Sequence, residues 1–144
     1  MRSVKKAIAS LFLIFPFSPS FAQSPDEFAV RKVLASQVQA WNRGNIDDFM
    51  KTYWRSDSLT FISRDGITRG YEATLHRYKK NYSDTAAMGK LFFELISLEK
   101  LSPEYYFVTG KWKLKRSSGD IGGIYTLLFR KINSGWVIVV DHTS

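Results

Sequence analysis

Two adjacent residues near the end of the chain are of the types that acid–base chemistry uses. Asp141 and His142 follow the apolar run Trp136 to Val140 and precede two hydroxyls, Thr143 and Ser144. An imidazole titrates near neutral pH, so His142 suits a general base or a clamp for an anion. Successive strand residues point to opposite faces, so the pair cannot act as one dyad unless a bulge intervenes. By parity His142 falls with Trp136, Ile138 and Val140, and Asp141 is left for a rim or an interface. The bland alternative for His142 is a hydrogen-bonded histidine that closes the sheet. The other histidine, His76, stands four residues after Glu72, the spacing of a surface ion pair on a helix. Two histidines so separated, in a chain without cysteine, imply no metal site, and no cofactor is expected.

A second set of candidates is aromatic. The chain has 11 Phe, 7 Tyr and 4 Trp. Tyr53, Trp54, Tyr78, Tyr106, Trp112 and Tyr125 combine an apolar body with a polar tip. They are the expected lining of a pocket for a small, partly apolar molecule, with His142 beside them. Plain core packing is the competing reading for each ring.

The elements that must position these residues begin after a leader. Arg2, Lys5 and Lys6 precede the apolar run Ala7 to Phe17, and Ser20 and Ala22 put small residues at a cleavage site. This is the layout of a secretory signal peptide. Its apolar run is about half of what a bilayer-spanning helix needs. The expectation is export to the periplasm or the medium after cleavage near Ala22, with no stable membrane span left. Residues 23–144 then form one domain. The net charge of +8 shrinks when the basic leader is removed, and the remainder suits solubility without requiring nucleic acid. Lys111, Lys113 and Lys115 share one strand face, so they read as a solvated side of the sheet, and no nucleic-acid partner is expected. Without cysteine the domain is held by packing alone.

Ser24-Pro25-Asp26-Glu27 has the residues of a capping box, and Phe28 to Trp41 follow mostly at helical spacing, with Gly44 as a stop. Asn45 caps a second, short helix that carries Phe49, Met50, Tyr53 and Trp54. A strand over Leu59 to Ser63 ends at the turn Arg64-Asp65-Gly66, and a third helix runs from about Tyr71 to Tyr82. Four strands complete the chain: Leu91 to Leu101, Tyr105 to Arg116, Ile124 to Ile132 and Trp136 to Thr143. Short turns make them antiparallel neighbours. The fold class is α+β, three helices on one face of a twisted antiparallel sheet.

Parity within these strands is uneven. Tyr106, Val108, Trp112 and Leu114 oppose the lysines cleanly, but Phe92, Ile96 and Leu98 oppose Leu91, Phe93 and Leu95, and Val137 and Val139 oppose Ile138 and Val140. Apolar residues on both faces ask for a second cover. A homodimer through the outer sheet face supplies one. A sheet curved over its own apolar side is the alternative.

The order of elements resembles the nuclear transport factor 2-like superfamily. Trp41-Asn42-Arg43-Gly44-Asn45-Ile46-Asp47 and Asp65-Gly66 with Arg69-Gly70-Tyr71-Glu72-Ala73 look like turns of its SnoaL-like members. Gly135-Trp136 with His142-Thr143-Ser144 resembles the last strand of the calcium/calmodulin-dependent kinase II association domain. The resemblance implies a cone-shaped curved antiparallel sheet with the three helices of the N-terminal half on its concave face, a cavity inside the cone, and frequent dimers. It implies no single activity. Ketosteroid isomerases share the fold, and there Ser63 would stand at the position of the aspartate base and Gln37 at that of the oxyanion tyrosine. Neither residue can take those roles. The expected function is therefore a binding domain for a small, partly apolar molecule. A lyase or isomerase with His142 as general base, and a structural dimerisation hub, are the alternatives.

Overall fold

A computed structural model describes residues 24–133 and 135–144. The leader, residues 1–22, lies outside the described residues. The chain order is α1 (Pro25–Asn42), α2 (Ile46–Met50), β1 (Thr60–Ser63), β2 (Gly66–Arg69), α3 (Tyr71–Asn81), α4 (Thr85–Met88), β3 (Lys90–Ser102), β4 (Tyr105–Lys115), β5 (Ile121–Ile132) and β6 (Gly135–Thr143). The strands form one curved, unclosed sheet in the order β2-β1-β6-β5-β4-β3.

Three elements differ from the sequence expectation. Helix α2 ends at Met50, so Tyr53 and Trp54, expected on it, lie beyond it, and Tyr53 instead forms a parallel bridge to Ile138 of β6. Gly66 opens a strand rather than ending a turn, so β1 and β2 form a short hairpin. A single helical turn, α4, is added to the three expected helices; it is capped by the Asp84 side chain, which accepts from the Ala87 amide at 2.7 Å. Strands β3 to β6 pair antiparallel in sequence order. The pairing of β1 with β6 is parallel, and it joins the N-terminal hairpin to the last strand of the sheet.

The capping box forms as its residues require: Ser24 Oγ accepts from the Glu27 amide at 3.1 Å, with Pro25 in the first turn. Helix α1 buries Val30, Leu34, Gln37 and Trp41, one stripe at i, i+4, i+7 and i+11. Its last residue locks it to the sheet. Asn42 Nδ2 donates to the Leu91 carbonyl at 3.1 Å, and Asn42 Oδ1 accepts from the Leu91 amide at 2.7 Å. This pair of bonds holds the helix over the concave face of β3.

Strand β4 alternates as its sequence does. Tyr106, Val108, Gly110 and Leu114 are buried, whereas Lys111, Lys113 and Lys115 are exposed. The other long strands depart from strict alternation at bulges. Ile96 has no partner between the pairs Leu95–Gly110 and Ser97–Thr109, and Leu101 none between Lys100–Tyr106 and Ser102–Tyr105. Both are exposed. In β6, Val139 stands unpaired between Ile138–Phe129 and Val140–Leu128. An unpaired residue moves everything beyond it to the opposite face.

Candidate functional site

The bulge at Val139 decides which end residue enters the cone. Trp136 and Ile138 point inward before it, and Asp141 and Thr143 point inward after it. Asp141 is buried, and His142 is exposed on the outer side. The parity that assigned His142 to the interior assumed an uninterrupted strand, and it is corrected here. Asp141, expected at a rim or interface, instead lies at the floor of an interior cavity.

The cavity has a volume of about 130 Å³ and lies between the concave face and helices α1, α2 and α3. Its walls are mainly rings. Trp41 sits at the centre of the helical side, with its edge against Phe49 at 5.1 Å and Tyr82 at 4.8 Å between centroids, and its indole N–H donates to the Met88 carbonyl at 3.1 Å. Phe61, Phe93, Leu91, Leu114 and Leu127 complete the apolar part.

The polar part is a chain of three groups. Tyr53 is placed by a parallel bridge to β6: the Ile138 amide donates to the Thr52 carbonyl at 3.0 Å, and the Trp54 amide donates to the Ile138 carbonyl at 2.9 Å. From there its hydroxyl donates to Asp141 Oδ2 at 2.6 Å. The Tyr78 hydroxyl lies 3.4 Å from that of Tyr53. Since the one Tyr53 proton is given to Asp141, Tyr78 donates to Tyr53. Burial pushes the Asp141 carboxyl up to about 7, against the opposing pull of the Tyr53 hydrogen bond. The hydroxyls of Tyr53 and Tyr78 are raised well above the ordinary phenol range, first by burial and then by the neighbouring Asp141 charge. Burial raises Tyr125 to about 12. The phenols therefore remain proton donors through the physiological range, while the carboxyl changes charge within it.

At the rim, Arg77 donates through Nη2 to Ser63 Oγ and to Asp65 Oδ2, each at 2.9 Å, with its guanidinium 5.4 Å from the centre of the Phe61 ring. Three of the lining residues each carry a fully buried polar atom without a hydrogen-bond partner, Gln37 Oε1, Trp112 Nε1 and the Tyr125 hydroxyl. The Tyr125 phenol occupies space that only glycine leaves free, since a Cβ on Gly110 would collide with it.

Of the aromatic candidates, Tyr53, Tyr78, Trp112 and Tyr125 line the cavity. Trp54 does not: it lies half-buried outside, with the Arg130 guanidinium 5.7 Å from its ring. Tyr106 is buried beyond the cavity, edge-on to Trp136 at 5.1 Å, with its hydroxyl 3.2 Å from that of Ser24. His76 is exposed on α3. Gln37 and Ser63, weighed only as stand-ins for isomerase residues, both line the cavity. Parity missed Asp141 because five apolar residues in succession leave no alternation from which a bulge can be read. No group of three or more His, Cys, Asp or Glu among the described residues is arranged to hold a metal ion.

Among solved structures, a nuclear transport factor 2-like protein of unknown function from Shewanella oneidensis is 39% identical, covers 81% of this chain and 97% of its own, and superposes with a TM-score of 0.78. The chain is an NTF2-like protein. More distant structures share the fold. A ketosteroid isomerase-like protein from Erwinia carotovora atroseptica is 17% identical, covering 83% of this chain and 95% of its own, with a TM-score of 0.65. A protein assigned as a calcium/calmodulin-dependent protein kinase type II association domain from Thiobacillus denitrificans is 15% identical, covering 79% and 92%, with a TM-score of 0.67. No protein-family model matches the sequence, and no curated protein does. The NTF2-like fold is compatible with a small-molecule-binding domain.

Proposed function

We propose that this NTF2-like protein is an exported binding domain that holds a small, largely apolar molecule inside its cone without transforming it. The observation that carries the reading is the cavity itself: a space of about 130 Å³ walled mainly by rings, with the buried acid Asp141 on its lining. Native mass spectrometry of the protein purified from its own host tests this. A small molecule is expected to copurify and to be lost when Leu127→Trp fills the space. A bare polypeptide, with no thermal shift from any member of a metabolite library, would overturn the reading.

A second reading is favoured by one group. A carboxyl that titrates near 7 is matched to proton transfer at neutral pH, so a lyase or isomerase in this cavity would use Asp141, not His142, as its general base, with Tyr53 and Tyr78 as donors. Turnover of a candidate substrate that disappears in Asp141→Asn while binding persists would select it over the first.

Two further parts belong to the proposal. Export rests on the leader, and N-terminal sequencing of the mature protein should begin at Gln23. Homodimerisation rests on Phe92, Ile96, Ile121 and Ile124, large apolar side chains exposed on or beside the outer sheet face. Light scattering after size exclusion at micromolar concentration should give twice the mass of the mature chain. A clean monomer would remove the dimer and leave the cavity untouched.

A further inference from the structure

One acid on the cavity lining has no counter-ion. We infer that the cavity takes a small organic amine in its ammonium form, with an N–H donating to Asp141 and its carbon part among the rings. This inference rests on the binding reading above and names the chemical class of the guest.

The acid comes first. Asp141 is 5% exposed and lines the cavity. Its Oδ2 accepts from Tyr53 at 2.6 Å. Its Oδ1 has no hydrogen-bond partner among the described residues. Gln37 Oε1, Trp112 Nε1 and the Tyr125 hydroxyl are closed off by protein, whereas Asp141 Oδ1 keeps surface. An open acceptor on the lining has room for a donor from a guest. No cationic side chain among the described residues forms an ion pair with this carboxylate. Arg77, the cation on the lining, is committed elsewhere: its Nη2 donates to Ser63 Oγ and to Asp65 Oδ2, each at 2.9 Å. A buried carboxylate without a counter-ion is costly, and a cationic guest offsets that cost.

The walls come next. Trp41, Phe49, Phe61, Tyr82 and Phe93 all line the space. Aromatic rings attract cations as well as hydrocarbon. Phe61 already does so at the rim, where the Arg77 guanidinium is 5.4 Å from its centre. The volume is about 130 Å³. An apolar cavity of about 150 Å³ takes up one benzene, so the carbon part of the guest is one small ring or a short branched chain. A carboxylate guest would set a second acid beside Asp141, and the two could not both ionise. A neutral alcohol could donate to Oδ1 but would leave the charge unpaired.

The proton on Asp141 links binding to pH. Burial raises the carboxyl to about 7 in the empty cavity. A cation beside it favours the charged form, so the guest displaces that proton and its affinity rises with pH through this range. The other titratable groups on the lining do not follow. Tyr53 beyond α2, Tyr78 and Tyr82 on and after α3, and Tyr125 on β5 are phenols that burial raises further. Arg77 stays charged throughout. His142 stands on the opposite face.

Titration calorimetry on the purified protein with benzylamine, benzyl alcohol, toluene and benzoate tests the inference. At about pH 8, benzylamine is expected to bind at least about tenfold more tightly than benzyl alcohol or toluene, the scale of one hydrogen bond to a charged group. Benzoate should give no binding. At about pH 6 benzylamine should bind more weakly while toluene does not. Asp141→Asn keeps the shape and should abolish the preference for benzylamine while toluene affinity is retained. Equal affinity for benzyl alcohol or toluene, or an asparagine variant that keeps the preference, would overturn the inference. If no probe binds, native mass spectrometry decides. A copurifying amine sustains the inference, a neutral or acidic guest overturns it and leaves the binding reading standing, and no guest overturns both.

Discussion

Asp141 and His142 are neighbours in sequence with opposite fates. The carboxyl is 5% exposed, hydrogen-bonded to Tyr53 and surrounded by aromatic rings; the imidazole stands in solvent on the other side of the same strand. Nothing in their residue types would have chosen this. Histidine is the commoner catalytic group, and aspartate is among the residues least often buried. One unpaired valine upstream sets the outcome. Chemistry at an interior site therefore depends on ladder register as well as on which residues the chain carries.

The sharpest way to break the comparison is to remove the charge from the buried partner. Asp141 moves from 3.8 to about 7 on folding, so the native state holds its proton more tightly than the unfolded chain. Between those values the folded state binds more protons, and stability falls as pH rises from about 4 to 7. Above 7 the cost is fully present, of the order of 4 kcal/mol by linkage. Asp141→Asn keeps the shape and can still accept from Tyr53. It is expected to be more stable than the parent at pH 8.5 by up to roughly 4 kcal/mol, and about equal to it at pH 4. Urea unfolding at the two pH values measures this. Asp26, Asp48 and Asp120 work in the opposite sense. Hydrogen bonds from Lys131, Lys51 and Lys113 hold these carboxyls below the usual range, so their contribution is lost as pH falls, in both proteins alike. A difference curve that is flat with pH would mean that Asp141 is not desolvated.

A smaller effect comes from the group that links the acid to the rings. Tyr53→Phe leaves Asp141 Oδ2 without its 2.6 Å donor, at a cost of about 1–3 kcal/mol. The same hydrogen bond is what holds the Asp141 carboxyl down against burial, so its loss should move the titration above 7. Carbon-13 NMR of the side-chain carboxyl reports the shift directly. With Asp141→Asn already present, Tyr53→Phe should cost less, because a neutral acceptor loses less than a charged one.

Much of the fold was legible. The capping box at Ser24, the stripe from Val30 to Trp41 and the alternation of β4 are local patterns, and each element took the form its residues dictate. Motif order along the chain pointed to the same cone that the 39% identical relative adopts. Half of the site was legible as well, since Tyr53, Tyr78, Trp112 and Tyr125 are amphipathic rings on faces that point inward. What could not be read are the non-local features. The parallel partnership of β1 with β6 joins segments far apart in the chain and leaves no local mark. The bulge at Val139 sits in an apolar run with no period to interrupt. Trp54 and Tyr106 are rings of the same kind as the lining ones, but Trp54 lies outside the cavity beside Arg130 and Tyr106 packs against Trp136 beyond it.

The smallest effect is expected at the residue that sequence parity favoured. His142 lies outward on β6, opposite Thr126 on one side and Ile62 on the other. His142→Ala removes an exposed side chain, and surface changes of this kind stay within about 0.5 kcal/mol. Guest binding should be unchanged, since the imidazole does not line the cavity. The variant also separates the two faces of the sheet. If the outer face joins two copies, His142→Ala alters the concentration at which dimers dissociate while guest affinity holds. If guest affinity collapses and dimerisation does not, the strand carries no bulge in solution, His142 faces inward, and the roles of the two neighbours are reversed.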